Sequence, residues 1–391
     1  MVGRIRERNT GYSLTGGVQR YYYYPTLPPS EAIGYTGVTG YEICRDITSP
    51  WPHVNPQPFQ VDKLTVKHTV CNGVAHHSDV PSEAWWRTEF SNKADSEFHL
   101  NMSPGFVPFS EGQLITKALA NMNPSKPKVD LPVFIFELKD FPRMLRDMGR
   151  VLSKGIKPSD AAGGYIAYSF GWAPLISDLK KLVDFSAHID QRIRSFRKLE
   201  VKAKQGGSLG TVQTRSSEIL REVMIPSYWV TKPIYKGKIV CNEERRHWYT
   251  ARAELLTALP SNAEDERLLA AKAAFGLNLS AASLWEATPW SWLIDYLSNV
   301  GDYLDASRGF IPWKCTSICL MTHSKQTITL QLEETHPGIT VSSGSFLNER
   351  KARTVVANPT PSIHFDPLFT NHQVGILTSL VTSNALRGVG K

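Results

Sequence analysis

The sequence is short of cysteine, of long apolar runs and of the compact motifs that mark most enzymes, and each shortage removes a class of function. Its five cysteines, Cys44, Cys71, Cys241, Cys315 and Cys319, are odd in number and scattered over 391 residues. That spacing excludes a disulfide framework. Behind the charged opening, Met1 to Arg8, there is no apolar run, so no secretory leader is expected and the chain is expected to stay in a reducing cytosol. The stretch Pro367–Leu386 lacks charge, but Thr370, Asn371, His372 and Gln373 dilute it, which suits a packing helix and not a membrane span.

Catalytic motifs are missing or out of place. There is no phosphate-cradling P-loop and no G-x-G-x-x-G placed after a strand pattern. Gly206-Gly207-Ser208-Leu209-Gly210 fits the G-x-S-x-G nucleophile elbow in letters only, because that motif needs a strand before the serine and a helix after it. Strand patterns flank it on both sides, which favours a glycine-rich hairpin loop. Cys315, Cys319 and His323 fall on one face of an extended strand, with no second pair of ligands in reach. His76-His77 beside Asp79 reads as a polar loop. Asp178, Asp295 and Asp302 sit on helical patterns among aromatics, where capping or hydrogen bonding outranks acid catalysis. No catalytic residue, metal or cofactor is expected.

What the sequence does have is material for a core and an excess of positive charge. Hydrophobic residues make up 41%, with 10 Trp, 14 Tyr and 16 Phe, enough for a folded chain with a sizeable interior. Lys and Arg number 44 against 36 Asp and Glu, a net charge of +8. That balance favours a polyanionic partner, most simply nucleic acid, because neutralising phosphates releases counterions.

Residues 1–60 are rich in Gly, Pro, Tyr and Arg, with Tyr21–Tyr24 ahead of Pro25, Pro28 and Pro29. Such a segment is laid over a surface, covering a sheet or meeting a partner protein. From Phe59 to Phe90 alternation takes over through Leu64, Val66, His68 and Val70, with Asn72-Gly73 as a hairpin signal and a Trp85-Trp86 strand after it. Helical spacing follows at Glu111–Asn121, then over Leu131–Lys154 through Phe134, Leu138, Phe141, Leu145, Met148 and Leu152, with Pro142 a kink.

The longest helical pattern opens at Phe170–Leu179, where Pro174 suits a first turn. It returns Leu175, Leu179, Leu182, Ile189, Ile193 and Phe196 to one stripe, ending near Leu199. A β pattern with a Gly206-Gly207 turn then runs to Tyr249. Ala251–Phe275 and Ser283–Asp305 read as helices, the second interrupted by Pro289. Cys315–Glu333 and Ile339–Val356 read as strands, and Asn371–Leu386 as a closing helix. The alternation predicts an α+β fold, elongated and in two regions, an antiparallel β-sheet region beside a helical bundle, each assembled from discontinuous segments. The β region takes residues 1–110, 201–250 and 309–365, and the α region residues 111–200, 251–308 and 366–391.

Positive charge concentrates along two helices and the strand that follows. Arg143, Arg146 and Arg150 accompany the first helix, while Lys180, Lys181, Arg192, Arg194, Arg197 and Lys198 lie off the apolar stripe of the second. Lys202 and Lys204 carry the line into the strand. A basic outer face is often only solvated. Interleaved with Tyr165, Tyr168 and Phe196, this one also suits structured RNA, where phosphate contacts supply affinity and flat side chains stack exposed bases. A cellular RNA-binding protein using this surface is one reading.

Two stretches support another. Phe170-Gly-Trp-Ala-Pro-Leu-Ile-Ser-Asp-Leu179 resembles the F-G-W-x-P-L-x-S-D-I/L segment of the maturation proteins of single-stranded RNA bacteriophages. Leu277-Asn278 through Trp285-Glu286, Pro289, Ser291, Asp295-Tyr296 and Val300-Gly301 is similar to that family's N-P-x-x-x-x-W-E-x-x-P-F-S-F-x-x-D-W-x-x-x-x-G segment. Leu279 stands in place of its proline and Tyr296 in place of its second tryptophan. The resemblance covers residues 160–305, and the strand runs on either side match by character only.

The resemblance implies a single-copy virion protein, made in the host cytoplasm and replacing part of the coat-protein shell. Its α region would face inward on the 3′ region of the genomic RNA. Its β region would face outward to the host pilin, so that the protein mediates adsorption and enters with the genome. The basic residues above become its RNA contacts, and Arg20, Tyr21, Tyr22, Tyr23, Tyr24, Trp85 and Trp86 its receptor contacts. Trp172, Pro174, Asp178, Trp285, Pro289 and Asp295 become a structural hinge that fixes the RNA-facing helix.

Overall fold

In the computed structural model, the residues described are 2–9, 17–22, 28–33, 40–48, 56–76, 87–95, 110–137, 177–178, 180–181, 184–223, 233–278, 280–288, 291–295 and 298–365. The strands are β1 (Val2–Asn9), β2 (Val18–Tyr22), β3 (Ser30–Ile33), β4 (Gly40–Thr48), β5 (Phe59–Lys67), β6 (Thr69–His76), β7 (Arg87–Asp95), β8 (Lys204–Val223), β9 (Tyr235–Leu255), β10 (Trp313–Thr335), β11 (Ile339–Ser342) and β12 (Ser345–Ala357). The helices are α1 (Glu111–Met122), α2 (Leu131–Glu137), α3 (Phe185–Glu200), α4 (Ala263–Ala274), α5 (Ala281–Glu286), α6 (Ser291–Asp295) and α7 (Val300–Ala306). The result is a sheet-rich α+β fold with two antiparallel sheets. One has seven strands in the order β1-β4-β5-β12-β10-β9-β8, the other five in the order β11-β6-β7-β2-β3.

The chain forms two compact units. The first takes Met1–Pro108, Ser208–Trp248 and Cys319–Val355. Its core joins Tyr235, Ile239, Ile328, Leu330 and Phe346 of the seven-stranded sheet to Cys71, Ala75, Phe90 and Ile339 of the five-stranded one. Period-two alternation in β9 makes this possible, turning Tyr235 and Ile239 inward and Lys236 and Lys238 out to solvent. Each large side chain so buried contributes roughly 1.5–3 kcal/mol.

Two glycine-containing pairs expected to turn the chain instead sit inside strands. Asn72-Gly73 does not make a hairpin. It forms a bulge in β6, where the register against β7 shifts between Cys71 and Gly73. Gly73 has φ +131°, and a Cβ there would run into the Gly338 carbonyl, so only glycine lets the lead-in to β11 come this close. Gly206-Gly207 likewise lies within the 20-residue strand β8. The ring of Tyr249 occupies the space over Gly207, 3.1 Å from where a Cβ would stand. The chain turns earlier, at Val201-Lys202, with Lys202 at φ 51°.

The second unit takes Phe109–Gly207, Tyr249–Ile318 and Val356–Lys391. Helix α1 begins at its Ser110 cap, whose Oγ accepts from Gln113 N at 3.3 Å, and stops at Asn123, close to the expected bounds. Helices α3 and α4 share a core of Ile189, Phe196, Ala270, Ala273, Ala274 and Phe275, with Val129, Phe134 and Ile311. The three alanines of α4 let the bulkier face of α3 approach. Ala251–Phe275 is not a single helix. Tyr249, Ala251 and Ala253 continue the buried alternation of β9, and α4 starts only at Ala263, where Asn262 Oδ1 accepts from Glu264 N at 3.1 Å. The expected helix over Ser283–Asp305 is three short ones, α5, α6 and α7. The continuation of α2 toward Lys154 and the closing helix Asn371–Leu386 lie outside the described residues, and no described helix is long and apolar enough to cross a membrane.

Candidate nucleic-acid interface

Helix α3 organises the basic surface because its apolar positions return every three or four residues and leave the rest to solvent. Ile189, Phe196 and Leu199 are buried, and Phe185 stacks on Phe275 with centroids 4.5 Å apart. Arg192 belongs to the buried side. It stands one turn before Phe196, its Nη2 donates to the Lys126 carbonyl, and burial lowers its pKa to about 10. Arg192 is therefore a correction to the expected contact surface: its charge lies beneath the outer face.

The other predicted cations divide by partner. Arg197 bonds both oxygens of Glu266, Lys202 pairs with Glu254, and Lys181 pairs with Asp178 at 2.8 Å. Lys180, Arg194, Lys198 and Lys204 are exposed and have no carboxylate partner among the described residues, Arg194 donating only to the Asp190 carbonyl. Arg143, Arg146 and Arg150 lie outside the described residues.

A further basic group escaped the sequence reading. Lys128 is exposed, yet its pKa is lowered, first by partial burial and then by the charges of Arg192, Lys181 and Lys126. Four cations thus crowd the junction between α1 and α2 and the approach to α3. Lys126 is answered by Asp305 at 2.7 Å and Lys181 by Asp178, which leaves Lys128 and Arg192 without a carboxylate among the described residues. An anion placed here would relieve their mutual repulsion. The signal was present in Lys126-Pro127-Lys128, a rigid linker with two lysines that helical periodicity does not score.

Residues that carry the resemblance are tied to one another. Trp285 Nε1 donates to Asp295 at 3.2 and 3.3 Å, and Gly301 N donates to Asp295 Oδ1 at 2.9 Å, capping the start of α7. Trp172, Pro174 and Pro289 lie outside the described residues. Of the expected receptor contacts, Arg20 pairs with Glu31 at 2.6 Å. Tyr22 donates to Glu89 at 3.1 Å beneath the Arg87 guanidinium, and Tyr21 is half-buried in β2. Tyr23, Tyr24, Trp85 and Trp86 lie outside the described residues.

Ser208 stands in β8, and Cys315 Sγ donates weakly to backbone carbonyls while His323 contacts Glu349 at 3.4 Å. Among the described residues no cluster of His, Cys, Asp and Glu is grouped to hold a metal.

No curated protein matches the chain. A family model described as phage maturation protein matches residues 138–341, just over half of the sequence. That span includes α3, the long strands β8 to β10 and the Trp285–Asp295–Gly301 contact, and on that match the chain belongs to the phage maturation protein family.

Proposed function

We propose that this maturation protein is a single-copy virion component that grips the phage genomic RNA through the basic surface of its second unit and meets the host pilus through its sheets. The observation that carries the RNA half is the set of exposed cations without acidic partners among the described residues, Lys128, Lys180, Arg194, Lys198 and Lys204, concentrated around α3. Charge left unmatched inside the protein is available to phosphate. Contacts with the coat protein, entry of the protein with the genome and an outward-facing β region belong to the same proposal, supported by the family resemblance and by the division of regions expected from the sequence.

The test is RNA binding by the full chain across a salt series. Lys128→Glu with Arg194→Glu and Lys198→Glu should weaken binding and flatten the dependence on salt by roughly 2–3 in the log–log slope, one phosphate contact being worth about 0.7–0.9. An unchanged slope would overturn the RNA half. For the pilus half, particles lacking Tyr21–Tyr24 should keep their RNA and lose adsorption, and normal adsorption would reject those residues.

A further inference from the structure

A cleft of about 200 Å³ opens in the second unit, lined by Ser125, Lys272, Asn278, Ser280, Arg308 and Phe310 among others. Arg308 is buried, and its charge is already answered. Nε donates to Asp305 at 2.8 Å, both Nη atoms donate to Asp130 Oδ2 at 3.3 Å, and Glu286 lies 3.6 Å away. One guanidinium facing three carboxylates leaves no surplus for a phosphate. Apart from the exposed Lys272, what the cleft offers is neutral. The Asn278 side chain, which can donate and accept, has no partner among the described residues; the Ser280 hydroxyl, also in the lining, is engaged by Ser283 as the cap of α5; and Phe310 is 36% exposed.

An amide beside an accessible aromatic face suits an unpaired nucleobase, which is read by stacking and by its hydrogen-bonding edge. The volume lies below the roughly 300–1,000 Å³ of sites that enclose whole small-molecule ligands, which suits a single ring system and not a whole nucleotide. The surrounding charge agrees. Lys272 lines the cleft, and Ala274, next to the lining residue Ala273, accepts from the backbone N–H of Lys128 at 2.7 Å, which places Lys128 in the adjoining segment. We propose that this cleft captures one unpaired base of the bound RNA, stacked on Phe310 and hydrogen-bonded by Asn278, with Lys272 and Lys128 taking the adjoining phosphates. The inference rests on the RNA-binding reading above.

The test uses the full chain with two probes, a fluorescent single-stranded oligoribonucleotide and the same sequence fully paired. Phe310→Ala and Asn278→Ala should each bind the single strand about tenfold more weakly, in line with the usual loss of one stacked base, and leave duplex binding unchanged. Lys128→Glu with Lys198→Glu should weaken both probes. If that charge-reversed variant weakens while the two cleft variants bind as the unaltered chain does, the cleft is rejected and RNA binding stands. If the charge-reversed variant also binds both probes normally, the RNA reading fails and takes the cleft with it. In the unaltered protein, a 4-thiouridine oligonucleotide should photo-crosslink to peptides carrying Asn278 or Phe310, and adducts confined to other peptides would overturn the proposal.

Discussion

Arg197 grips Glu266 at two points, Nε to Oε1 at 3.2 Å and Nη2 to Oε2 at 2.9 Å, and so ties α3 to the first turn of α4. The most regular basic helix in the sequence thus spends one of its cations on its own scaffold. The same contact holds the Glu266 carboxyl below its ordinary 4.5, the hydrogen bond from Arg197 being the main cause. A depressed carboxyl supplies stability that is present above its unfolded pKa and is lost as pH falls through the folded value. Arg197→Gln should therefore lower the urea midpoint at neutral pH, and the gap from the unaltered chain should close well below pH 4.5. A gap undiminished in acid would mean that the pair is not its source. Arg197→Gln should also reduce RNA affinity less than Lys198→Gln, because only Lys198 lacks an acidic partner.

Glu286 behaves in the opposite sense. Its carboxyl is pushed up to about 7, by burial first and then by the Asp305 carboxylate, with Arg308 pulling it back. The folded chain then holds this proton more tightly than the unfolded chain does, so its contribution falls as pH rises from 4.5 through about 7. Nearly half of the Glu286 side chain remains in water, at 46% exposure, which screens the effect and keeps the slope shallow. Glu286→Gln, permanently neutral, should flatten the stability profile across that window. Urea midpoints measured through it decide the matter, and an identical slope in the variant would assign the titration to another group.

Helix α3 and the ion-paired surface around it were partly legible because periodicity reports burial directly. Ile189, Ile193 and Phe196 recur at helical spacing, and the same arithmetic puts Arg192 among them, three residues after Ile189 and four before Phe196. Its residue type drew it to the charged face, while its position belonged inside. The strands were harder to read. Helix-favouring Ala and Leu in Ala251–Leu255 hid a period of two, and a 20-residue strand such as β8 exceeds the usual five or six by far. Gly206-Gly207 and Asn72-Gly73 resemble turns locally. What makes them strand residues is the approach of Tyr249 and Gly338, contacts distant in sequence that no local pattern encodes.

The Arg308 network ties together segments far apart in the chain. Its guanidinium lies between Asp130 and Asp305, Asp130 also accepts from Ser283 Oγ at 2.5 Å, and Asn123 Nδ2 donates to the carbonyls of Asp305 and Arg308 at 2.8 and 2.9 Å. Side chains of Arg308 and Asp130 are each only 4% exposed. Removing the cation strands two carboxylates in low dielectric, a change that typically costs about 3–5 kcal/mol when one partner of a buried pair is lost. Arg308→Met should therefore destabilise the chain by about that much in urea unfolding. Adding Asp130→Asn to Arg308→Met should return part of the loss, because the orphaned charge is then gone, whereas the two changes would simply add if they acted independently. An Arg308→Met variant within about 0.5 kcal/mol of the unaltered chain, the range of ordinary surface substitutions, would show that these segments are held by packing rather than by this charge.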